Sequence, residues 1–211
     1  MGAIRPALEL SKQYDAYYFI ADYHALTTVH NGDEMRKNVL SVAATFMALG
    51  LDTNKATLFQ QSAVPEVTEL SYILSCMTGL GHMERAHAYK ASLARGTEIN
   101  VGTFTYPILM AADILLYGSN FVPVGQDQKQ HVELARDAAQ RFNSIYGETF
   151  KLPEPIIPEV GARIMGLDDP TKKMSKSETA AAHAINLLDS PDVIKSKLSR
   201  ATTDSQRDIL F

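Results

Sequence analysis

Two groups of residues in this sequence have types and spacings suited to chemistry. The first runs from Thr171 to Glu178. It sets Lys172, Lys173, Lys176 and the hydroxyls of Ser175 and Ser177 within a few positions, behind a turn from Gly166 to Pro170. Ammonium groups this close repel one another unless solvent or an anion neutralises them, and Pro170 with the serines favours a loop. A loop carrying Lys173 and Lys176 suits a polyphosphate whose charge shifts during reaction. A solvated basic surface loop is the competing reading. The second group centres on Asp113, inside a stretch from Pro107 to Leu116 whose other residues are all apolar or small. A buried, unpaired carboxylate costs several kcal/mol, so this one needs a donor.

Tyr106, Met110, Asp113 and Tyr117 fall at i, i+4, i+7 and i+11, on one face of a helix. An aromatic ring, a thioether and a carboxylate on one stripe would suit a flat apolar ring carrying one N–H, such as an indole. On spacing alone, an acid paired internally with a lysine or a backbone amide fits as well. Gly125, Gln126 and Asp127 stand at a strand-to-helix turn, where backbone N–H groups attract anions and hydroxyls. Asp127 could accept bonds from ribose hydroxyls or merely cap the helix. Asp22 and His24 follow an apolar run, where a site residue belongs, although a lone histidine there is as readily structural. His30, His82, His87, His131 and His183 form no partner pattern, and with one cysteine there is no zinc-ligand spacing.

The elements that must position these groups alternate. A helix over 4–14 precedes an apolar strand over 16–21 that reads as buried on both faces. A helix from Asp33 to Leu49 follows, capped by Gly50, with Met35, Val39, Val42, Phe46 and Leu49 as its core stripe. A strand over 56–59 completes a right-handed strand–helix–strand crossover in a parallel sheet. Helices are expected over 65–77 and 82–93, parted by Gly79 and Gly81. Thr103 and Thr105 are candidate caps before Pro107 opens another helix, ending near Gly118. A strand over 121–124 turns at Gly125 into a long helix to about Tyr146, with Leu134, Ala138 and Phe142 facing inward. Residues 151–158 read as proline-rich and extended. Ser190 and Pro191 start a last helix, to about Arg200. The pattern predicts an α/β fold with a Rossmann-type, doubly wound parallel sheet and inserted helices, with ligands at the carboxyl ends of the strands.

Composition narrows the function classes. The chain has 211 residues, 45% of them apolar, with 20 basic against 24 acidic residues for a net charge of −4. That balance supplies no bulk attraction to nucleic acid, so any such contact needs a local patch. Cys76 is the only cysteine, which excludes an internal disulfide and suits a reducing cytoplasm. No apolar run approaches the ~18 residues of a membrane span, and no signal-peptide pattern opens the sequence.

The run Lys173-Met174-Ser175-Lys176-Ser177 matches the KMSKS signature of class I aminoacyl-tRNA synthetases letter for letter. With the segments Met110 to Tyr117 and Gly125 to His131, in that order, the sequence resembles the tryptophanyl-tRNA synthetase family over nearly its whole length. The resemblance implies a ligase that activates L-tryptophan with ATP, carrying Mg²⁺ on the nucleotide, and transfers it to tRNA(Trp). It implies that Asp113 accepts the indole N–H, and that Tyr106, Met110, Val122, Val124, Gln128 and His24 line the amino-acid pocket. It assigns Gly125, Gln126, Asp127 and Ile164 to the nucleotide, with Lys173, Met174, Ser175, Lys176 and Ser177 on its phosphates. The resemblance makes Lys173 and Lys176 the expected catalytic pair. The segment from Tyr72 to Lys90 resembles the family's homodimer interface.

Residues 1–185 correspond to the catalytic domain, including the lysine loop at 172–177, and 186–211 to the start of a helical tRNA-binding domain. Tyrosyl-tRNA synthetases differ in the Asp113 helix and after the next strand, so tyrosine specificity is the lesser alternative. Two departures stand out. Met1 falls past the place of the family's N-terminal HIGH-type motif, and most of the C-terminal domain would lie beyond Phe211. Ser92 stands where many relatives place a second phosphate-site lysine, with Lys90 nearby. The expectation is a portion of a longer ligase, the alternative a truncated homologue that binds tryptophan or nucleotide without catalysis.

Overall fold

The computed structural model describes residues 4–85, 89–90, 93, 99–125, 128–157, 165–169, 171–172, 174 and 182–202. The chain divides into two compact units, Ala3–Pro158 and Glu159–Phe211, the latter together with Met1–Gly2.

In the first unit, helix α1 (Ile4–Leu10) leads to strand β1 (Ala16–Ile20), a one-turn helix α2 (Asp22–Ala25) and helix α3 (Gly32–Ala48). Asn31 caps α3, its side chain accepting from the backbone N–H of Asp33 and Glu34 at 2.9 and 3.0 Å. That satisfies two of the four donors a helix start leaves open. Gly50 follows α3 with φ +91°, a conformation that disfavours a side chain. Strand β2 (Ala56–Gln60) pairs with β1 in parallel, Ala16 opposite Ala56 and Ile20 opposite Gln60. The expected crossover between parallel strands is present. Two details differ from expectation. No residue of α3 is fully buried, and Val42 of its supposed core stripe is 40% exposed. Strand β1 is not covered on both faces either, since Tyr17 is exposed. Its aromatic side chains explain the apolar reading: Tyr17 stacks on Tyr117 and Tyr18 on Phe46, centroids 6.0 and 5.9 Å apart. Such rings bury one flank while staying partly wet.

A 3₁₀ turn (Gln61–Ala63) then leads to α4 (Glu66–Met77) and α5 (Leu80–Glu84). Gly79 caps α5, and Leu80 and Gly81 lie inside it rather than in a separating loop. The expected helix over 82–93 falls partly outside the described residues. Helix α6 (Val101–Leu115) begins six residues before Pro107. The Asn100 side chain accepts from Thr103 N–H at 2.8 Å and from its hydroxyl at 3.0 Å, so Asn100, not either threonine, is the cap. Pro107 sits within the helix and withholds one N–H from its ladder. A strong cap upstream outweighed proline's preference for the first turn.

Strand β3 (Phe121–Pro123) pairs in parallel with β4 (Glu154–Ile156), a strand that the proline-rich composition concealed. Between them runs α7 (Lys129–Tyr146). The described strands thus form two parallel pairs, β1 with β2 and β3 with β4, in an α/β arrangement. The core lies among α4, α6 and α7. Val67, Leu74, Ala111, Ala112, Val132, Ala135 and Ala139 are completely covered there, and Ala138 and Phe142 pack against them. The alanines let helix axes approach closely, and burying each large side chain contributes roughly 1.5–3 kcal/mol.

In the second unit, α8 (Pro191–Ser199) starts where expected, with Ser190 as its cap. Buried Lys197 donates to Asp189 at 2.6 Å and to the Ala184 carbonyl at 2.8 Å. No helix among the described residues is long and apolar enough to cross a membrane.

Candidate active site

The carboxyl ends of β1 and β2 and the last turn of α6 converge on one buried acid. Asp113 is 3% exposed. Gln61, directly after β2, donates its amide nitrogen to both carboxylate oxygens, at 2.9 Å to Oδ1 and 2.8 Å to Oδ2. His24 of α2 brings Nε2 to 2.9 Å from Oδ2. Gln61 is itself buried, and its Oε1 accepts the backbone N–H of Tyr23 at 3.1 Å. The donor that the apolar surroundings of Asp113 demanded is therefore a pair of side chains from two strand ends, an amide and an imidazole, not a lysine.

The network continues along α6. The Tyr106 ring meets His24 edge to face with centroids 5.6 Å apart, and its hydroxyl lies 2.6 Å from Nε2 of His131 on α7. His131 is buried. On the open side of His24 and Tyr106 lies a cleft of about 350 Å³, also lined by Tyr23, Thr27, Ser71, Asn100, Thr105 and Leu109. Its size falls in the range of small-molecule sites, with apolar walls and a few polar groups. Asp113 stands behind His24.

A second carboxylate braces α2. Asp22 is nearly buried, and accepts from the Gln60 amide at 2.6 Å and from Ser62 N–H at 3.0 Å. Burial pushes its carboxyl up, but the bonds from Gln60 and Ser62 together outweigh burial and hold it below the usual carboxylate value. The start of α2, and with it His24, is thereby tied to the end of β2.

Of the other expected residues, Met110, Val122 and Val124 are half-buried against the core around α6. Gln128 stands at the start of α7, its N–H donating to the Gly125 carbonyl at 2.9 Å. Gly125 is exposed. Met174 is half-buried. Gln126, Asp127, Ile164, Lys173, Ser175, Lys176 and Ser177 lie outside the described residues, as does Ser92. The structure thus joins His24, Tyr106 and Asp113 directly. Gln61 and His131 were missed by sequence reasoning. Adjacent glutamines at the carboxyl end of a strand were a usable signal, because ligands gather there in open α/β sheets. Nothing marked His131, which pattern alone leaves on a helix surface.

The flank of the lysine loop is described in part, within the second unit. Gly166 N–H donates to the Lys172 carbonyl at 2.8 Å, and Leu167 N–H to the His183 carbonyl at 3.0 Å. His183, without a pattern in sequence, is buried and bonded to Asp168. Thr171 donates its hydroxyl and, at 3.0 Å, its N–H to Asp169, and these bonds hold the Asp169 carboxyl below its usual range.

A family model described as tRNA synthetases class I (W and Y) matches residues 1–211. The chain belongs to this family. Among its relatives, the tryptophan–tRNA ligase of Caldanaerobacter subterraneus subsp. tengcongensis is 50% identical over 209 residues, covering 99% of the chain and 64% of that protein. The tryptophan–tRNA ligase of Wolinella succinogenes is 50% identical over 212 residues, covering 100% and 65%. The crystal structure of the tryptophanyl-tRNA synthetase of Campylobacter jejuni, complexed with ADP and tryptophan, superposes with a TM-score of 0.90 at 43% identity. It covers 97% of the chain, which in turn covers 63% of it. The chain therefore spans just under two thirds of the length of these class I (W and Y) synthetases. The α/β arrangement and its parallel strands agree with that membership.

Proposed function

We propose that the chain is the greater part of the catalytic region of a tryptophan–tRNA ligase. The observation that carries this is the geometry of Asp113: a desolvated carboxylate on α6, held by Gln61 and His24 behind a cleft of ligand size. An ionised carboxylate has about four acceptor sites. Three are taken here, so one ring N–H can still be received. The 50% identity to tryptophan–tRNA ligases supports tryptophan over tyrosine as the ring bearer.

In the proposed reaction the tryptophan carboxylate attacks the α-phosphorus of ATP in line. The bond from that phosphorus to the bridging oxygen breaks, and pyrophosphate leaves with the electron pair. The carboxylate is already ionised at neutral pH, so no general base is required. His24, Tyr106 and Asp113 orient the amino acid, with Met110, Val122, Val124 and Gln128 as further pocket residues. Gly125, Gln126, Asp127 and Ile164 serve the nucleotide. Lys173 and Lys176, with Met174, Ser175 and Ser177, stabilise the charge moving onto pyrophosphate. Mg²⁺ belongs to the triphosphate in this scheme. A terminal ribose hydroxyl of tRNA(Trp) then attacks the acyl carbon and loses its proton, the bond from that carbon to the phosphate oxygen breaks, and AMP leaves with the electron pair.

Residues 1–185 form the catalytic part in this reading and 186–211 begin the tRNA-binding part. A homodimer is proposed through the segment from Tyr72 to Lys90, where Tyr72, Ile73 and Leu80 are exposed apolar side chains. A cytoplasmic location suits the free Cys76.

Tryptophan-dependent ATP–pyrophosphate exchange, run with calorimetric titration of tryptophan, tests the proposal. Tryptophan binding with tyrosine excluded supports it, and exchange extends it to catalysis. Binding without exchange assigns recognition to this chain and catalysis to the longer protein. Equal binding of tyrosine and tryptophan overturns it.

A further inference from the structure

Gln61 is buried to 1% exposure, and both ends of its amide are committed. The orientation of the amide is decided by Tyr23: a backbone N–H can only donate, so the group facing it at 3.1 Å must be the Oε1 acceptor. The NH₂ then has to face Asp113, where it reaches both oxygens at 2.9 and 2.8 Å. His24 adds a contact at 2.9 Å to Oδ2 alone. Oδ2 is doubly engaged and Oδ1 singly, so the remaining acceptor capacity of the carboxylate lies on Oδ1.

We infer that Gln61 is a specificity-determining positioning residue: it fixes the Asp113 carboxylate so that Oδ1 is presented to a ring N–H of the bound amino acid. The inference rests on the proposed tryptophan site and adds a residue to it. The mechanism follows from the bonds. The Gln61 NH₂ can only donate, so both oxygens of Asp113 face it as acceptors. Straddling both oxygens, it also sets the rotation of the carboxylate plane. The backbone of Tyr23, one residue before His24, holds Gln61 in turn. The two partners of Asp113 are therefore coupled through α2: what moves Tyr23 moves both. A site that fixes its acceptor this way rejects a ligand lacking the N–H, because the buried oxygen is then left unpaired.

The test compares two ligands of nearly the same shape. L-Tryptophan carries the ring N–H, and β-(3-benzothienyl)alanine has sulfur in its place. Their dissociation constants are measured by calorimetry for the unsubstituted chain, for Gln61→Met and for Gln61→Glu. The unsubstituted chain should prefer tryptophan by about ten- to a hundredfold, the worth of a hydrogen bond to a charged group. Gln61→Met should bring that preference to within about threefold of unity while the analogue binds nearly as before. Gln61→Glu keeps an acceptor for Tyr23 N–H but sets a second carboxylate against Asp113. Its preference should fall at neutral pH and recover partly in acid, where the pair can share a proton. If Gln61→Met does not fold, the pH response of Gln61→Glu decides. Equal weakening of both ligands, or a preference unchanged by either substitution, overturns the role of Gln61. No tryptophan preference in the unsubstituted chain overturns instead the site on which the inference rests.

Discussion

His24 and Asp113, 89 residues apart in the chain, meet through imidazole Nε2 and carboxylate Oδ2 at 2.9 Å. The contact links the helix after β1 to the last turn of α6. Because His24 also faces Tyr106 at the edge of the cleft, it transmits the position of the buried acid to the surface a ligand would touch.

Replacing Asp113 with asparagine should destabilise the fold even though the side chain keeps its shape. The Gln61 amide nitrogen lies within bonding distance of both carboxylate oxygens, so either orientation of the new amide sets one NH₂ against another. A loss of about 1–3 kcal/mol is expected, read from the urea midpoint. The same variant should lose discrimination between tryptophan and tyrosine in a competition titration.

Acid should weaken the fold through Asp22. The bonds from Gln60 and Ser62 hold its carboxyl below the ordinary value of 3.8. A depressed carboxylate contributes its full stabilisation above the unfolded value, and that contribution is lost as pH falls through the lower, folded one. Urea midpoints followed from pH 6 to pH 3 should therefore drop on the acid side, and Asp22→Asn should flatten that part of the curve. An unchanged acid limb would contradict the assignment.

Gly166 should not tolerate a side chain. A β-carbon there would overlap the ring of His183, which is buried and bonded to Asp168. Gly166→Ala is expected to displace the ring at a cost of about 1–3 kcal/mol, the usual penalty of overpacking. The His183 ring resonances, followed by NMR, should shift in that variant and stay put in an exposed control such as Ser199→Ala.

Tyr72→Arg should separate a homodimer into single chains without unfolding them. Tyr72 is 74% exposed, so the substitution adds charge to a patch and removes nothing from the core. Sedimentation velocity reads the change, and a chain already single before substitution would count against the dimer.

Much of this was legible in the residues. The strand ends, α7 and α8 follow from apolar runs, a glycine turn and a serine–proline start. Asp113 declared itself by standing alone among apolar neighbours on a helix. What sequence could not supply was the partner of that acid, because Gln61 and His24 come from different strand ends and meet only through the parallel pairing of β1 and β2. Helix α6 was misplaced because Pro107 carries a strong start signal, whereas Asn100 closes the helix end with two real hydrogen bonds. Strand β4 was hidden because Pro153 and Pro155 flank Glu154, and prolines read as breakers. In a two-stranded pair, one edge needs no donor from them.

The central claim is that a ring N–H of tryptophan is received by Asp113. The chain contains no tryptophan of its own, so an indole N–H signal in its presence can come only from ligand. Binding of L-tryptophan labelled with ¹⁵N at the ring nitrogen should yield one proton-detected resonance, displaced from its position in water and protected from solvent exchange. Asp113→Ser should abolish both effects. A bound ligand whose ring N–H stays at the free position, or is unmoved by that substitution, would contradict the account.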